Sequence, residues 1–305
     1  MEKKDFGRLE NMCQSLFLKA GECFHVCSQE NHPVLFRSDK EFMAAMNAVA
    51  FAAFLFPDIL LFTFEIMGNH FHFALSGKKE RIMKFLHTLV LKLAASPALM
   101  GTRADIRKLT FKAIPIESLA NLRNVITYVN RNGYVVNSDH SPFSYPWGSN
   151  RYFFNPEAKS RIQESGVKAT CAMKRELFHS DLLAKNGNVM ILDGYVSPAC
   201  FCRISEAENF FRSCRHYFQS ISRNIESARD IARSIGESIF YHDEDLFTLV
   251  SSICAREFGC PSVLTLTKDQ KLDLARRLHY DYNATDKQIS RILKIGIDVV
   301  KLLFP

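Results

Sequence analysis

Two histidines stand one residue apart in MGNHFH, residues 67–72, at the end of the apolar run DILLFTFEI. On a β-strand, residues i and i+2 point to the same face, so the side chains of His70 and His72 project together. Imidazole is a common metal ligand, and two rings at this separation can share one divalent cation. The pair is either structural or half of a metal site.

A tyrosine and an asparagine four residues apart in ITYVNRNG, residues 126–133, offer what the histidine pair lacks. If this segment is helical, Tyr128 and Asn132 share one face of the helix. A phenol is a nucleophile and a carboxamide oxygen is a third metal ligand. The alternative is a half-buried core tyrosine followed by an asparagine at the helix C-cap. Each motif alone leaves both interpretations open.

The elements that must position these residues follow from the hydrophobic periodicity of the first 155 residues. We predict strands at 21–29, 59–67, 70–76 and 108–116, and helices at 40–56, 79–95 and 118–132. This order predicts an α+β fold, a ferredoxin-like βαββαβ antiparallel sheet with helices on one face. If the helices cover the face of Phe71 and Phe73, both imidazoles lie on the open face.

Two segments carry a resemblance to a known family. MGNHFHFAL resembles the MPNHVHLLL signature of single-tyrosine HUH transposases, and YVNRNGYVV…YPWGSNRYF resembles the corresponding tail of their REP-associated branch. The resemblance covers roughly residues 15–155. Gly68 replaces the usual proline, and NGYVVNS replaces NPVRAGLV. The histidines, the tyrosine and the asparagine are all in place.

The resemblance implies an activity and a site. His70 and His72 would hold Mg²⁺ or Mn²⁺ with Asn132 as third ligand, and Tyr128 would attack a phosphodiester to form a 5′-phosphotyrosine link. The substrate would be single-stranded DNA flanked by a hairpin. Members of the family act as monomers or as homodimers that exchange the tyrosine helix, and the chain would do one or the other.

The charge of the chain fits a polyanionic partner. The formal net charge is +7, and residues 78–112 hold nine Lys and Arg against two acidic residues. A locally basic surface attracts phosphate backbones, although a solvated helix face would have the same composition. The residues predicted to contact DNA are Lys78, Lys79, Arg81, Lys84, Arg107, Lys108, Arg123 and Arg131.

Three segments divide the chain in our interpretation: a catalytic domain at 1–155, a mixed linker at 156–202 and a helical region at 203–305. Within the last, 268–304 has the spacing of a helix-turn-helix, with a plain three-helix bundle as the alternative. A zinc site at Cys23, His25 and Cys27 is conceivable, but no second ligand pair follows it.

No apolar run reaches the ~20 residues of a membrane span, and the charged N-terminus does not resemble a secretion signal. We therefore expect a cytoplasmic protein that does not bind membranes. Three other functions remain open: a domesticated relative that nicks or only binds hairpin DNA, a non-catalytic DNA-binding regulator, and a metal-dependent phosphoesterase without a covalent step. The last would not need Tyr128.

Overall fold

The chain forms two compact units, residues 1–224 and 225–305. The structure, a computed structural model, describes residues 3–28, 34–133, 143–185, 187, 189–221, 243–260, 262–280, 282 and 284–304. The predicted boundaries at 155 and 203 both fall inside the first unit, because residues 156–221 pack with it.

A four-stranded antiparallel sheet is the centre of the first unit. Its strands lie in the order β2-β3-β1-β4. They are β1 (Cys23–Ser28), β2 (Leu60–Ile66), β3 (Phe71–Ser76) and β4 (Phe111–Ile116). The turn at Gly68 and Asn69 joins β2 to β3, so the predicted hairpin is present. All four predicted strands are confirmed, each one to three residues shorter than predicted.

The helices around this sheet alternate with the strands. They are α1 (Lys3–Ala20), α2 (Asp39–Leu55), α3 (Lys79–Ala95), α4 (Arg103–Ile106) and α5 (Leu119–Val129). Ser38 and Glu41 form a capping box at the start of α2, and Phe56 ends it before Pro57. A 3₁₀ turn over Pro97–Thr102 connects α3 to α4. The predicted bounds of α3 are confirmed.

Helices cover both faces of the sheet, so the expectation of helices on one face is wrong. On one face, Phe73 of β3 packs edge-on against Phe85 of α3, with ring centroids 6.0 Å apart. On the other, His72 meets Tyr128 of α5. Alternation along a strand separates its two faces, but it does not show which face a later helix covers. The face that carries His72 is closed rather than open.

Residues 156–221, predicted in part as a linker, form regular elements. These are α6 (Pro156–Ser165), β5 (Val167–Lys168), α7 (Cys171–Phe178), β6 (Met190–Leu192), β7 (Tyr195–Val196), α8 (Ile204–Glu208) and α9 (Cys214–Ile221). Strands β5, β6 and β7 make a second antiparallel sheet. The amide of Arg203 donates to the carbonyl of Leu61 at 2.7 Å, which ties this region to β2. Short strands give too little periodicity to be recognised in a sequence.

The second unit is helical where the structure describes it. Its helices are α10 (Asp243–Glu257), α11 (Lys268–Tyr280), α12 (Asp286–Leu293) and α13 (Ile297–Leu303). They share one apolar core. Thr285 and Gln288 form the predicted capping box of α12, and the left-handed residue Lys294 ends that helix. The helix-turn-helix stays a prediction, and residues 222–242 of the predicted helical region lie outside the described residues.

Candidate active site

The site lies on the face of the sheet that α5 covers. His72 of β3 pairs across strands with Glu65 of β2 on one side and with Cys27 of β1 on the other. Cys27 pairs in turn with Lys112 of β4. Residues directly opposite each other in antiparallel strands project to the same face. One row across the sheet therefore contains a carboxylate, an imidazole, a thiol and an ammonium group.

His70 immediately precedes β3, and its ring is close to that of His72. The two ring centroids are 4.9 Å apart and the rings are nearly perpendicular. Nδ1 of His70 is 2.7 Å from Oδ1 of Asn69. The donor and acceptor roles in this contact depend on the tautomer of the ring and on the orientation of the amide. His70 is half-buried whereas His72 is fully buried, so the pair reaches from the surface into the protein.

Tyr128 lies against these imidazoles. It is in the last turn of α5, and its ring centroid is 5.4 Å from that of His72 in an edge-on arrangement. Only 5% of the tyrosine is exposed. The predicted nucleophile and the predicted histidine pair, 56 positions apart in the chain, therefore come together within one copy of the first unit.

His25 supplies a third imidazole, which sequence reasoning considered only as a zinc ligand with Cys23 and Cys27. Nε2 of His25 is 3.4 Å from Nδ1 of His72, and its ring centroid is 5.9 Å from that of Tyr128. In the part of the chain that the structure describes, no three His, Cys, Asp or Glu side chains are arranged to hold a metal, so the zinc site is not supported. Knowledge that β1 pairs with β3 would have placed His25 near His72. The sequence of one strand does not show which other strand it pairs with.

Burial makes both inner imidazoles neutral. It lowers the pKa of His25 to about 3, with a smaller contribution from the charge of Lys112. Burial also lowers the pKa of His72 well below its ordinary value, and the neighbouring imidazoles of His70 and His25 add to this. A neutral imidazole keeps a lone pair, which is the form that binds a metal.

Asn132 is near the site, but not for the reason that the sequence suggested. Helix α5 ends at Val129, so Tyr128 and Asn132 do not lie on one continuous helical face. The chain turns instead, and the amide of Arg131 bonds to the carbonyl of Tyr128 at 3.2 Å. The next residue after Asn132, Gly133, donates its amide to Oε2 of Glu65 at 2.7 Å.

Glu65 is a fully buried carboxylate that sequence reasoning missed. Burial raises the pKa of Glu65 well above its ordinary value, and the hydrogen bond from Gly133 opposes this in part. Its other oxygen, Oε1, has no hydrogen-bond partner among the described residues. A charged residue in the apolar strand LLFTFEI was the available signal, because acidic side chains are rarely fully buried unless paired.

The donor set fits a divalent cation. Among the described residues, the buried polar atoms near this site without a hydrogen-bond partner include Nε2 of His72, Oε1 of Glu65 and Nδ2 of Asn132. Buried polar atoms are normally satisfied, so each such atom requires an explanation. The oxygen and nitrogen of an amide are assigned from their contacts, and turning the Asn132 amide over would put an oxygen where Nδ2 now has no partner among the described residues. An amide oxygen suits Mg²⁺ and Mn²⁺, whereas imidazole nitrogens suit transition metals, so this mixed donor set favours Mn²⁺ over Mg²⁺.

A polar network fixes the end of α5 over the sheet. The hydroxyl of Thr63 donates to Oδ1 of Asn130, and Nδ2 of Asn130 donates to the hydroxyl of Tyr217 at 3.0 Å. Thr63 also meets the hydroxyl of Ser149 at 2.8 Å. These groups are fully buried. Strand β2, helix α5 and helix α9 are therefore joined directly beside Tyr128.

Two of the predicted DNA contacts are not on the surface. Arg123 is 9% exposed, and it donates to the carboxylate of Glu10 at 2.7 and 3.1 Å and to the carbonyl of Phe210 at 2.6 Å. Arg131 is 3% exposed. The prediction that these two residues contact DNA is not supported, because reaching a phosphate would break buried contacts. Their helical spacing from Tyr128 did not reveal that the face was covered.

The other predicted DNA contacts form two groups at opposite ends of the sheet. Lys78, Lys79 and Lys84 are exposed near the end of β3 that is remote from His72, where Arg81 binds Asp58 at 2.7 Å. Arg107 and Lys108 are exposed just before β4, whose first residue pairs with Ser28. The hydroxyl of Ser28 accepts the amide of the residue after His70, so the second group lies at the histidine end.

No family model, curated protein or solved structure matches this chain. Among the described residues, no single helix is long and apolar enough to cross a membrane, although the bent pair Lys79–Ala95 and Pro97–Ile106 passes a test of length and composition together.

Proposed function

We propose that this chain is a metal-dependent DNA strand transferase that cleaves and rejoins hairpin-flanked single-stranded DNA through a 5′-phosphotyrosine intermediate. The single observation that carries the proposal is the position of the Tyr128 ring, 5.4 Å from that of His72 and next to His25. Separate segments with the predicted motifs meet in one buried site. The βαββαβ order and the strand order β2-β3-β1-β4 support the ferredoxin-like fold that this function implies.

The metal would be held by His70, His72 and Asn132, and when bound it supplies Lewis-acid polarisation of the scissile phosphate. The hydroxyl oxygen of Tyr128 attacks phosphorus, the bond to the 3′-oxygen breaks, and that oxygen takes up a proton to leave as a 3′-hydroxyl. The proton balances the one that the phenol loses. Attack of another 3′-hydroxyl on the phosphotyrosine restores the phenol, so joining needs no ATP.

A single copy of the chain suffices to bring the phenol to the histidines, which supports action as a monomer. The half-buried His70 marks the side from which the DNA strand approaches. Arg107 and Lys108 lie at that end and fit the approach of a phosphate backbone. The protein would act in the cytoplasm.

Burial of the site favours a second candidate, a protein that binds hairpin DNA without cutting it. His72 is fully enclosed and Tyr128 is 5% exposed, so cleavage requires the phosphate to reach a closed pocket. This candidate uses the same surface cations and needs neither the phenol nor the metal.

A covalent-adduct assay distinguishes the two. The full chain is incubated with a library of hairpin-bearing single-stranded DNA in Mn²⁺ or EDTA, then run on a denaturing gel. We expect an adduct in Mn²⁺ only, and Tyr128→Phe should abolish it without loss of DNA binding. Tyr152→Phe is the matched control, since Tyr152 is also buried and its hydroxyl bonds to Ser197 at 3.1 Å, away from the site. DNA binding without an adduct in the wild type would favour the second candidate.

A further inference from the structure

Glu65 is a buried titratable group of the site to which the proposed mechanism gives no role. It is fully buried and lies directly across from His72 in the pairing of β2 with β3. Oε2 accepts the amide of Gly133 at 2.7 Å, while Oε1 has no hydrogen-bond partner among the described residues. Burying a carboxyl group with only one of its oxygens hydrogen-bonded is costly, and such a cost is often found at functional sites.

Glycines allow the backbone to pack closely around the side chain of Glu65. A Cβ atom on Gly148 would lie 2.7 Å from Cγ of Glu65, and one on Gly133 would lie 2.2 Å from the ring of Tyr145. Gly148 also forms a β-bridge with Glu65. Gly133 and Gly148 therefore permit two segments that follow α5 to pack closely around Glu65 and Tyr145.

The hydrogen bond from Gly133 fixes the peptide next to Asn132. Because Glu65 is on the strand beside His72, this bond sets the distance between two of the three proposed ligands. Helix α5 has already ended at Val129, so helical hydrogen bonding does not determine the position of Asn132. The side chain of Glu65, on the sheet, instead determines the position of Asn132 through its hydrogen bond to Gly133.

We infer that Glu65 is a positioning residue for the metal site, which holds the Asn132–Gly133 peptide against β2 so that the asparagine amide meets the two histidines. This inference rests on the proposed function. It goes beyond it by assigning a role to a residue outside the nucleophile and ligand set.

Two substitutions at Glu65 distinguish a positioning role of its side chain from an effect of its charge. Glu65→Gln keeps an oxygen that accepts the Gly133 amide and has nearly the same shape. Glu65→Met keeps the shape but removes the acceptor. Asn47→Leu is the matched control, because Asn47 is also buried and its Oδ1 accepts a backbone amide, that of Val196, at 2.9 Å on the other side of the sheet.

The test is Mn²⁺ affinity of the full chain by titration calorimetry, without DNA, with thermal unfolding of each variant to show that it is folded. We expect Glu65→Gln and Asn47→Leu to bind like wild type and Glu65→Met to bind about 10- to 100-fold more weakly, the usual effect of losing an outer-shell partner. Amide exchange of Gly133 should accelerate in Glu65→Met alone.

The other outcomes separate the two proposals. If wild type binds Mn²⁺ and Glu65→Met binds equally well, the positioning role is wrong and the metal site stands. Equal weakening in Glu65→Gln and Glu65→Met overturns positioning in favour of a direct effect of the charge. If wild type does not bind Mn²⁺, the proposed metal site fails and this inference fails with it. Unchanged exchange of Gly133 in Glu65→Met would also overturn it.

Discussion

The two faces of the central sheet are equally buried but differ in chemistry. One face is hydrocarbon, where Phe71 and Phe73 stack and Phe73 meets Phe85 of α3. The other buries His72 and Glu65 under α5. Apolar burial stabilises a fold, whereas burying polar atoms without hydrogen-bond partners destabilises it. The first face therefore contributes most to stability, and the second carries the residues of the proposed site.

The largest expected effect is on the polar face. His72→Leu should abolish covalent adduct formation, because a proposed ligand is lost. The leucine removes Nε2, which has no hydrogen-bond partner among the described residues, but it also removes the 3.4 Å contact of Nδ1 with Nε2 of His25, so the free energy of unfolding should fall by about 1 to 3 kcal/mol. Adduct assays and urea unfolding of the metal-free protein test this. A folded variant that still forms the adduct would remove His72 from the proposed site.

The opposite result is expected on the apolar face. Phe73→Ala should lower the free energy of unfolding by about 3 to 5 kcal/mol, since Phe73 is fully buried among aromatic rings. Adduct formation per folded molecule should be unchanged. The measurement is urea unfolding, with the adduct assay below the transition. If the free energy of unfolding falls by less than about 1 kcal/mol, the apolar face does not supply the stability assigned to it here, and the contrast between the two faces is wrong.

A smaller, pH-dependent effect is expected where α5 is fixed to α1. The hydrogen bonds from Arg123 lower the pKa of Glu10. A depressed carboxyl pKa gives stability above the unfolded pKa of about 4.3, and this stability is lost as pH falls through the folded pKa. Glu10→Gln should thus cost about 1 kcal/mol at pH 7, a value reduced by the partial exposure of Glu10, and nothing at pH 2.

Urea unfolding of wild type and Glu10→Gln at pH 7, 4.5 and 2 measures this dependence. A constant difference across that range would show that the charge of Glu10 is not what holds α5 on the polar face.

The smallest effect separates the two groups of surface cations. Lys108→Ala should weaken binding of hairpin-flanked single-stranded DNA and reduce the slope of log K against log salt by ~0.7, the value for one phosphate contact to a single strand. Lys78→Ala, at the remote end of the sheet, should leave the slope unchanged. Fluorescence anisotropy over a salt series measures both. Equal slopes for the two variants would contradict DNA approach from the histidine end.

Local elements were predictable from the sequence because their signals are local. Alternation gave the four strands, and the capping residues and Pro57 placed α2. Alternation also put His70 and His72 on one face. Proximity of the phenol to His72 was an expectation from the family resemblance, and the structure brings the two rings together.

The features that could not be predicted from the sequence depend on long-range packing. The closing of the histidine face by α5, the ion pair of Arg123 with Glu10 and the bond of Gly133 to Glu65 join residues that are 56 or more positions apart. Helical spacing placed Asn132 beside Tyr128 by an argument that fails, because the helix ends first. No local pattern marks Glu65 as the residue that meets this turn.

The most direct test of the central claim is mass spectrometry of the protein–DNA adduct. After incubation with hairpin-flanked single-stranded DNA and Mn²⁺, the adduct is digested and the peptide that carries the nucleotide is sequenced. The account predicts a 5′-phosphate linked to the hydroxyl of Tyr128, and no such peptide in EDTA. A nucleotide on any other residue would contradict it, as would wild-type protein that binds the DNA in Mn²⁺ and never forms a covalent link.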